Sequence, residues 1–393
     1  MKKKSIIISG IIAVSVFPLW MFLAWVIWPK KKLTIAIVDK TVLTNKGQEH
    51  TSLTWVLNNQ KYTKNKTALY NVDNDYFGFF PAENQHYRVK GLERFSEEQL
   101  ETLSTDADAA YITDAYGIYR KEWYSGKEST ERSGVLYGGM SEQDISLLEK
   151  LKAKHKLILS EFNCIGSPTR IAVKNKFEQE FGVKWTGWIG RYFDVLDTAI
   201  NKELPHWLIK GYLKQHHNKW PFKNAGLTFV HEDSRIEILA ENIHLTNAVP
   251  YIACNKFARE KYGLPAKTFY PFWFDIVLAH SSKNTIVSQF ELSLTDSGKT
   301  LLNEIGIPPK FPAIQIHEGK DYQFYYFSGD FSDNPINFRN SYYKGIHYFN
   351  WMFDNANDPG GRTSFFWKFY EPLLRNILND YYNKKPISYI STK

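Results

Sequence analysis

The sequence predicts a three-layer α/β protein. A mostly parallel sheet would occupy residues 33–245, an α+β antiparallel region residues 246–393, and one transmembrane helix would precede both within residues 1–32. Three observations carry this. Short apolar runs closed by acids alternate with helix-like stretches from Leu33 to Phe181, the order expected of parallel crossovers. Beyond Gly226 the pattern turns to hairpins and long β-rich runs. Residues 6–28 contain no charged side chain.

The 393 residues are 43% hydrophobic, 16% aromatic and 23% charged, which excludes an intrinsically disordered chain. Two cysteines exclude a disulfide scaffold or a Cys-rich metal module. The formal charge of +8 suggests a polyanion partner, yet its distribution argues otherwise. Lys2, Lys3, Lys4, Lys30, Lys31 and Lys32 flank the first apolar segment, and without them residues 33–393 hold 43 basic against 41 acidic residues. A body at +2 offers no global attraction to polyphosphate, so no nucleic-acid partner is expected.

Ile6–Trp28 is 23 residues long, enough for a helix of roughly 34 Å across a hydrocarbon core of about 30 Å. Trp20, Trp25 and Trp28 sit where an interfacial belt would form, and Ala24-Trp25-Val26 is followed by more apolar bulk than a cleaved signal peptide carries. The reading is an uncleaved signal-anchor that holds the protein in the membrane, single-pass. Lysine triplets tie the positive-inside count, and the short N-terminal flank places the body on the extracytoplasmic side.

The elements follow in order. Leu33–Val38 is a continuous apolar run ending at Asp39, suited to the centre of a parallel sheet. Thr51–Asn59 reads as a helix, as does Ser96–Leu103 with Ser96 as N-cap. Ala109–Thr113 is the second run, ending at Asp114. Ser141–His155 opens on Ser141 with Asp144 three residues on, a near capping box, and repeats Ile145, Leu148 and Leu151 at helical spacing. Leu157–Ser160 is the third run, ending at Glu161. Ser167-Pro168 opens a helix that runs to Phe181 and stops at Gly182. Gly226–Val230 and Arg235–Leu239 form a hairpin. Tyr270–His280 and Thr285–Leu294 are β-rich, Pro312–Ile316 pairs with Tyr322–Phe327, and helices cover Thr295–Ile305 and Phe365–Tyr382. The seam between the two regions falls near residues 241–250.

Asp39, Asp114 and Glu161 thus share one sheet edge, beyond which open α/β sheets bind ligands. Acids at strand ends equally cap the following turn. Phe162-Asn163-Cys164-Ile165-Gly166, between strand and helix, occupies the place of a nucleophile elbow, with Phe162 where a small residue is wanted. His155, His206, His216, His217 and His231 are candidate bases without diagnostic spacing; an unreactive buried thiol, or one paired with Cys254, is the other reading. The stretch from Trp185 to Phe193 (WTGWIGRYF) places Trp188, Arg191 and Tyr192 for stacking on sugar rings or clamping an anion, or else packs as a twisted strand. Asp330 and Asp333 stand three apart in a Gly-containing turn, placed for acid/base chemistry or for Asx capping. Asp73-Asn74-Asp75 lacks the Gly and distal Glu of a calcium loop, so no metal and no cofactor are expected.

Together the Leu33–Asp39 strand, Ala109–Gly117 (AAYITDAYG), Leu136–Met140 (LYGGM) and Glu161–Pro168 (EFNCIGSP) resemble class I glutamine amidotransferase-like domains, within the wider flavodoxin-like group. They are similar also to membrane-anchored bacterial proteins built on that fold. The resemblance implies a Cys nucleophile at Cys164 activated by a His–Glu pair, but no His-x-Glu follows, and His231-Glu232 are adjacent. Two functions are therefore expected of this sequence. One is binding or assembly of an envelope carbohydrate, with a glycan as ligand, by a catalytically silent domain. The other is a hydrolase or transferase on envelope polysaccharide that uses Asp114, Glu161 or the Asp330/Asp333 pair, with Cys164 as a sub-branch.

Overall fold

The computed structural model describes residues 16–125, 133–280, 282–353, 355, 358 and 361–384. Among these, a ten-stranded mixed sheet dominates. Its strands are β1 (Ile35–Asp39), β2 (Phe77–Pro81), β3 (Tyr87–Lys90), β4 (Ala109–Ile112), β5 (Leu157–Glu161), β9 (Leu245–Cys254), β10 (Lys267–Phe269), β12 (Thr285–Leu294), β13 (Lys310–Glu318) and β14 (Gln323–Phe327). They lie in the order β10-β9-β12-β13-β14-β5-β4-β1-β2-β3. A second, four-stranded sheet runs β8-β7-β6-β11, where β6 is Val183–Phe193, β7 Gly226–His231, β8 Ile236–Ala240 and β11 Trp273–Ala279.

Within these two sheets, parallel pairing is confined to the block β14-β5-β4-β1-β2. All other pairings in both sheets are antiparallel. The expectation of a mostly parallel sheet is therefore corrected: the described sheets are mostly antiparallel. The physical reason is that β14, from the C-terminal part, joins β5 in parallel while its own hairpin partner β13 extends the sheet antiparallel. Strand patterning reports burial on two faces, and burial is the same whichever way a neighbour runs.

Helices cover both faces. Ile35 and Ile37 enter one apolar layer with α1 (Thr51–Asn59) and α8 (Glu371–Lys384), through Trp55, Leu57, Leu373, Leu374 and Ile377. Ala36 and Val38 enter the opposite layer with α2 (Glu97–Asp106), α3 (Glu142–Ala153) and α4 (Ile171–Phe181), through Leu100, Ile145, Leu148, Leu151, Val173 and Phe177. This alternation is the period-two geometry of a strand buried on both sides. The helix starts are locally encoded. Ser96 with Gln99, and Ser141 with Asp144, form capping boxes, and α4 ends at Gly182 in the left-handed region (φ 65°). Further helices include α5 (His206–Gln215), α6 (Lys256–Tyr262) and α7 (Asp296–Glu304).

The membrane span is also corrected. No helix of the described residues is long and apolar enough to cross a membrane. The expected span began in residues 1–15, which lie outside the described residues; residues 16–27 are helical. This helix is held by the body: the Trp25 indole donates to the Asn58 carbonyl (3.0 Å), and Lys61 Nζ donates to the Val26 carbonyl (2.8 Å). Trp25 also meets Tyr342 edge-on at 5.0 Å. An apolar run can be a docked helix as well as a bilayer span, and hydropathy does not separate them. The signal-anchor and the extracytoplasmic single-pass placement argued from it fall with the span.

Candidate functional site

Strand register gathers the acids. Ile35–Val38 pair with Ala109–Ile112, Ala109–Ile112 with Leu157–Ser160, and Leu157–Glu161 with Gln323–Phe327. The carboxyl ends of β1, β4, β5 and β14 therefore finish level, and Asp39, Asp114, Glu161 and Asp330 stand at that edge. The loop after β1 contributes Glu49. Strand β11 of the second sheet meets the edge through a Phe274–Gly329 bridge and an Asp275 N–H bond to the Ser328 carbonyl (2.6 Å), contributing Asp275.

Four of these carboxylates are supplied with donors. Asp39 is fully buried; its Oδ2 lies 2.7 Å from His50 Nδ1 and accepts the Glu49 N–H at 2.9 Å. Asp114 accepts the Tyr116 N–H at 2.6 Å. Glu161 accepts from Tyr111 Oη at 2.9 Å and from Ser332 Oγ. Asp275 accepts from the Asn163 N–H (3.0 Å) and Tyr326 Oη (2.6 Å).

The crowding shifts proton affinities in one direction. Burial pushes Asp114 up to about 8, with Asp39 and Asp275 adding repulsion against the hydrogen bond from Tyr116. Burial pushes Asp275 up to about 7, against its bonds from Tyr326 and Asn163. Glu161 is held well above the carboxylate range by burial, although Ser332 and Tyr111 favour its charge. Glu49 and Asp330 are raised by burial and then by Asp333 and each other's neighbours.

Glu49, Asp330 and Asp333 form the mouth, with one carboxylate oxygen of each lying within 4.8 Å of the others. Asp333 pairs with Arg362 at 3.0 Å. The Arg362 guanidinium lies 3.4 Å from the Phe272 ring centre, and Arg191 lies 5.0 Å from the same ring. Arg191 also faces Trp273 (5.3 Å) and pairs with Glu203 at 3.0 Å. Two arginines around one phenyl ring, beside three acids, make a polar and aromatic wall.

The structure thus brings Asp39, Asp114, Glu161, Asp330, Asp333 and Arg191 into one neighbourhood. Tyr192 is half-buried against the main core, and burial lifts its phenol to about 12. Trp188 is only 3% exposed, its ring against His231 (4.8 Å) and Arg235 (5.2 Å), so it offers no open face to a sugar. Cys164 is fully buried and free, as is the less buried Cys254 free of a disulfide. Burial, then Asp275, drive the Cys164 thiol well above its usual range, the reverse of an activated nucleophile. The left-handed residue of the turn is Asn163 (φ 63°), one position before the thiol.

Sequence reasoning missed Glu49, Asp275, Phe272 and Arg362. Asp275 carried a readable signal, a lone acid inside an apolar strand (FWFDIVLA). Glu49 lies in a loop without motif, and Arg362 follows glycines that read as a turn. Two surface hollows, of about 350 and 330 Å³, lie elsewhere: one beside Phe257, Lys283 and His317, the other beside Ser167, Lys174 and Glu232. Neither contains an acid of the mouth.

No protein-family model matches the chain, and no curated protein matches it. Among solved structures, it is similar to a β-galactosidase from Bacillus circulans sp. alkalophilus (8% identity, TM-score 0.28, covering 58% of this chain and 21% of that one). It is similar also to the carbohydrate deacetylase Agd3 (8% identity, TM-score 0.36, 88% and 33%). A third is a ThuA-like protein from Bacteroides uniformis ATCC 8492 (9% identity, TM-score 0.35, 86% and 97%). The chain spans a fifth and a third of the length of the first two. At these TM-scores the likenesses carry no argument about this chain's activity.

Proposed function

We propose that the protein binds a carbohydrate at the mouth formed by Glu49, Asp330 and Asp333, on an amidotransferase-like layer whose cysteine is catalytically silent. The observation that carries this reading is the juxtaposition of that acid trio with the Arg362–Phe272–Arg191 stack. Carboxylates accept hydrogen bonds from sugar hydroxyls, and guanidinium groups held by an aromatic ring donate to sugar oxygens. The buried, protonated thiol of Cys164 supports a silent rather than a hydrolytic amidotransferase-like layer. Glycan-array screening of the whole chain, followed by calorimetry, tests it. Binding is expected, with a loss of about tenfold or more in D333N, where one rim acceptor and the Arg362 partner go together. A glycan that binds equally to wild type, D333N and F272A places the site elsewhere and ends this reading.

A second reading has its own observation. Asp114, pushed up to about 8, holds a proton at neutral pH and can serve as a general acid beside Asp333, and Glu49 is raised in the same direction by burial and by Asp333. On this reading E49Q lowers turnover of a glycan substrate by about a hundredfold while leaving its KM near wild type. No product from any glycan that binds would dismiss it.

A further inference from the structure

We infer that Glu49, Asp330 and Asp333 ligate one hard divalent cation, a role for which the sequence has no loop motif. Buried polar groups in folded proteins are satisfied by hydrogen bonds or ions. Asp39, Asp114, Glu161 and Asp275 each accept at least one hydrogen bond. Asp330 is 6% exposed, yet among the described residues no hydrogen bond or ion pair reaches its carboxylate, and the same holds for the Glu49 carboxylate. Both point into the trio, whose oxygens lie within 4.8 Å of one another. A carboxylate buried to this degree without any donor is costly, whereas Asp39, Asp114, Glu161 and Asp275 each have at least one, although one Asp275 oxygen is itself unpartnered.

Charge and donor chemistry then select the partner. The three oxygens lie within 4.8 Å of one another, so small side-chain movements bring them onto one ion at metal–oxygen distances of about 2.1–2.5 Å. With all three carboxylates ionised, as metal ligation requires, the trio and Arg362 carry two net negative charges, which one divalent ion neutralises. All three ligands are carboxylate oxygens, the donor set of calcium, magnesium or manganese rather than of zinc or copper. Glu49 and Asp333 are half-buried, which leaves an approach for the ion and for water ligands. The inference goes beyond carbohydrate binding and stands without it.

The test is titration of chelator-treated whole chain with calcium chloride by calorimetry at neutral pH, with terbium luminescence excited through tryptophan as a second probe. One calcium per chain is expected, with magnesium competing for the same site. E49Q and D330N are each expected to weaken it about tenfold or more, while D296N, on an exposed helix, leaves it unchanged. Should D330N fail to fold, E49Q at its half-buried position carries the comparison: calcium raises the thermal midpoint of wild type and not of E49Q. No saturable signal at millimolar calcium and terbium overturns the inference, as does equal affinity in wild type, E49Q and D333N. Glycan binding in chelator without any calcium signal removes the ion and leaves the carbohydrate reading. Calcium binding without a glycan does the opposite.

Discussion

Asp114 shows how much one side chain decides at the rim. Burial raises its carboxyl to about 8 in the folded protein, while in the unfolded chain it titrates near 3.9. Between those values the folded state holds a proton that the unfolded state has released. Its contribution to stability is therefore fully present below about pH 4 and is lost as pH rises towards 8. Asp275, raised to about 7, adds in the same sense. D114N keeps an oxygen for the Tyr116 N–H and removes the titration, so its unfolding free energy should fall less steeply between pH 5 and 8 than that of wild type. Urea melts across that range measure it, and identical slopes would contradict the raised carboxyl. The strand-end acids were legible one by one, because each closes an apolar run. Their convergence with Glu49 and Asp275 was not, since it depends on register between strands far apart in sequence. Cys164 misleads for a related reason: the strand–turn–helix context of an elbow is present, but the thiol's burial and the missing base are tertiary facts.

At the level of elements, the edge depends on how closely β1 and β2 approach. A Cβ added to Gly78 would sit 1.6 Å from the Asp39 carbonyl oxygen and 2.7 Å from its carbon. Both are backbone atoms, so no rotamer change relieves the clash, and the two strands must part where Val38 and Asp39 pair with Phe77 and Gly78. Glycine is demanded here by approach. G78A is expected to cost about 3 kcal/mol, in the upper range for overpacking, and to displace Asp39 from His50 and the Glu49 N–H. Chemical denaturation gives the first and loss of glycan or ion binding the second; a cost below about 0.5 kcal/mol would mean the strands part freely. Helices α2 and α3 were legible to the cap, because Ser96 and Ser141 act on N–H groups three residues away. Strand β2 was not legible as a strand: FGFFP contains the glycine that this close approach requires, and glycine weakens the very pattern by which strands are recognised.

For the whole molecule, the decisive feature is that β14 closes the parallel block from the far end of the chain. Strand β5 lies between β4 and β14, and Glu161 is paired with Phe327 at its end. Phe324 and Tyr326 fill the same apolar layer as Ile158 and Phe177. Contacts across residue 245 continue beyond the sheet: Asn59 Nδ2 donates to the Ser341 and Tyr343 carbonyls (both 3.1 Å), and Tyr62 Oη donates to Asn379 (2.8 Å). Sequence patterns identify strands, but choosing β5 as the partner of β14 is a matter of chain closure over some 160 residues, which local periodicity does not encode. A chain of residues 33–245 alone would expose the β5 edge with its backbone donors unpaired, and would leave Glu161 without Ser332 and β6 without β11. It is therefore expected to lack a cooperative urea transition, whereas mixing it with residues 246–393 should restore one whose steepness approaches that of the intact chain, because steepness follows the surface buried. Proton NMR dispersion of the isolated fragment provides the independent check. A fragment that unfolds cooperatively by itself, with calcium or glycan affinity intact, would show that the rim needs nothing from the later strands, in conflict with the place of Asp330 and Asp333 in its mouth.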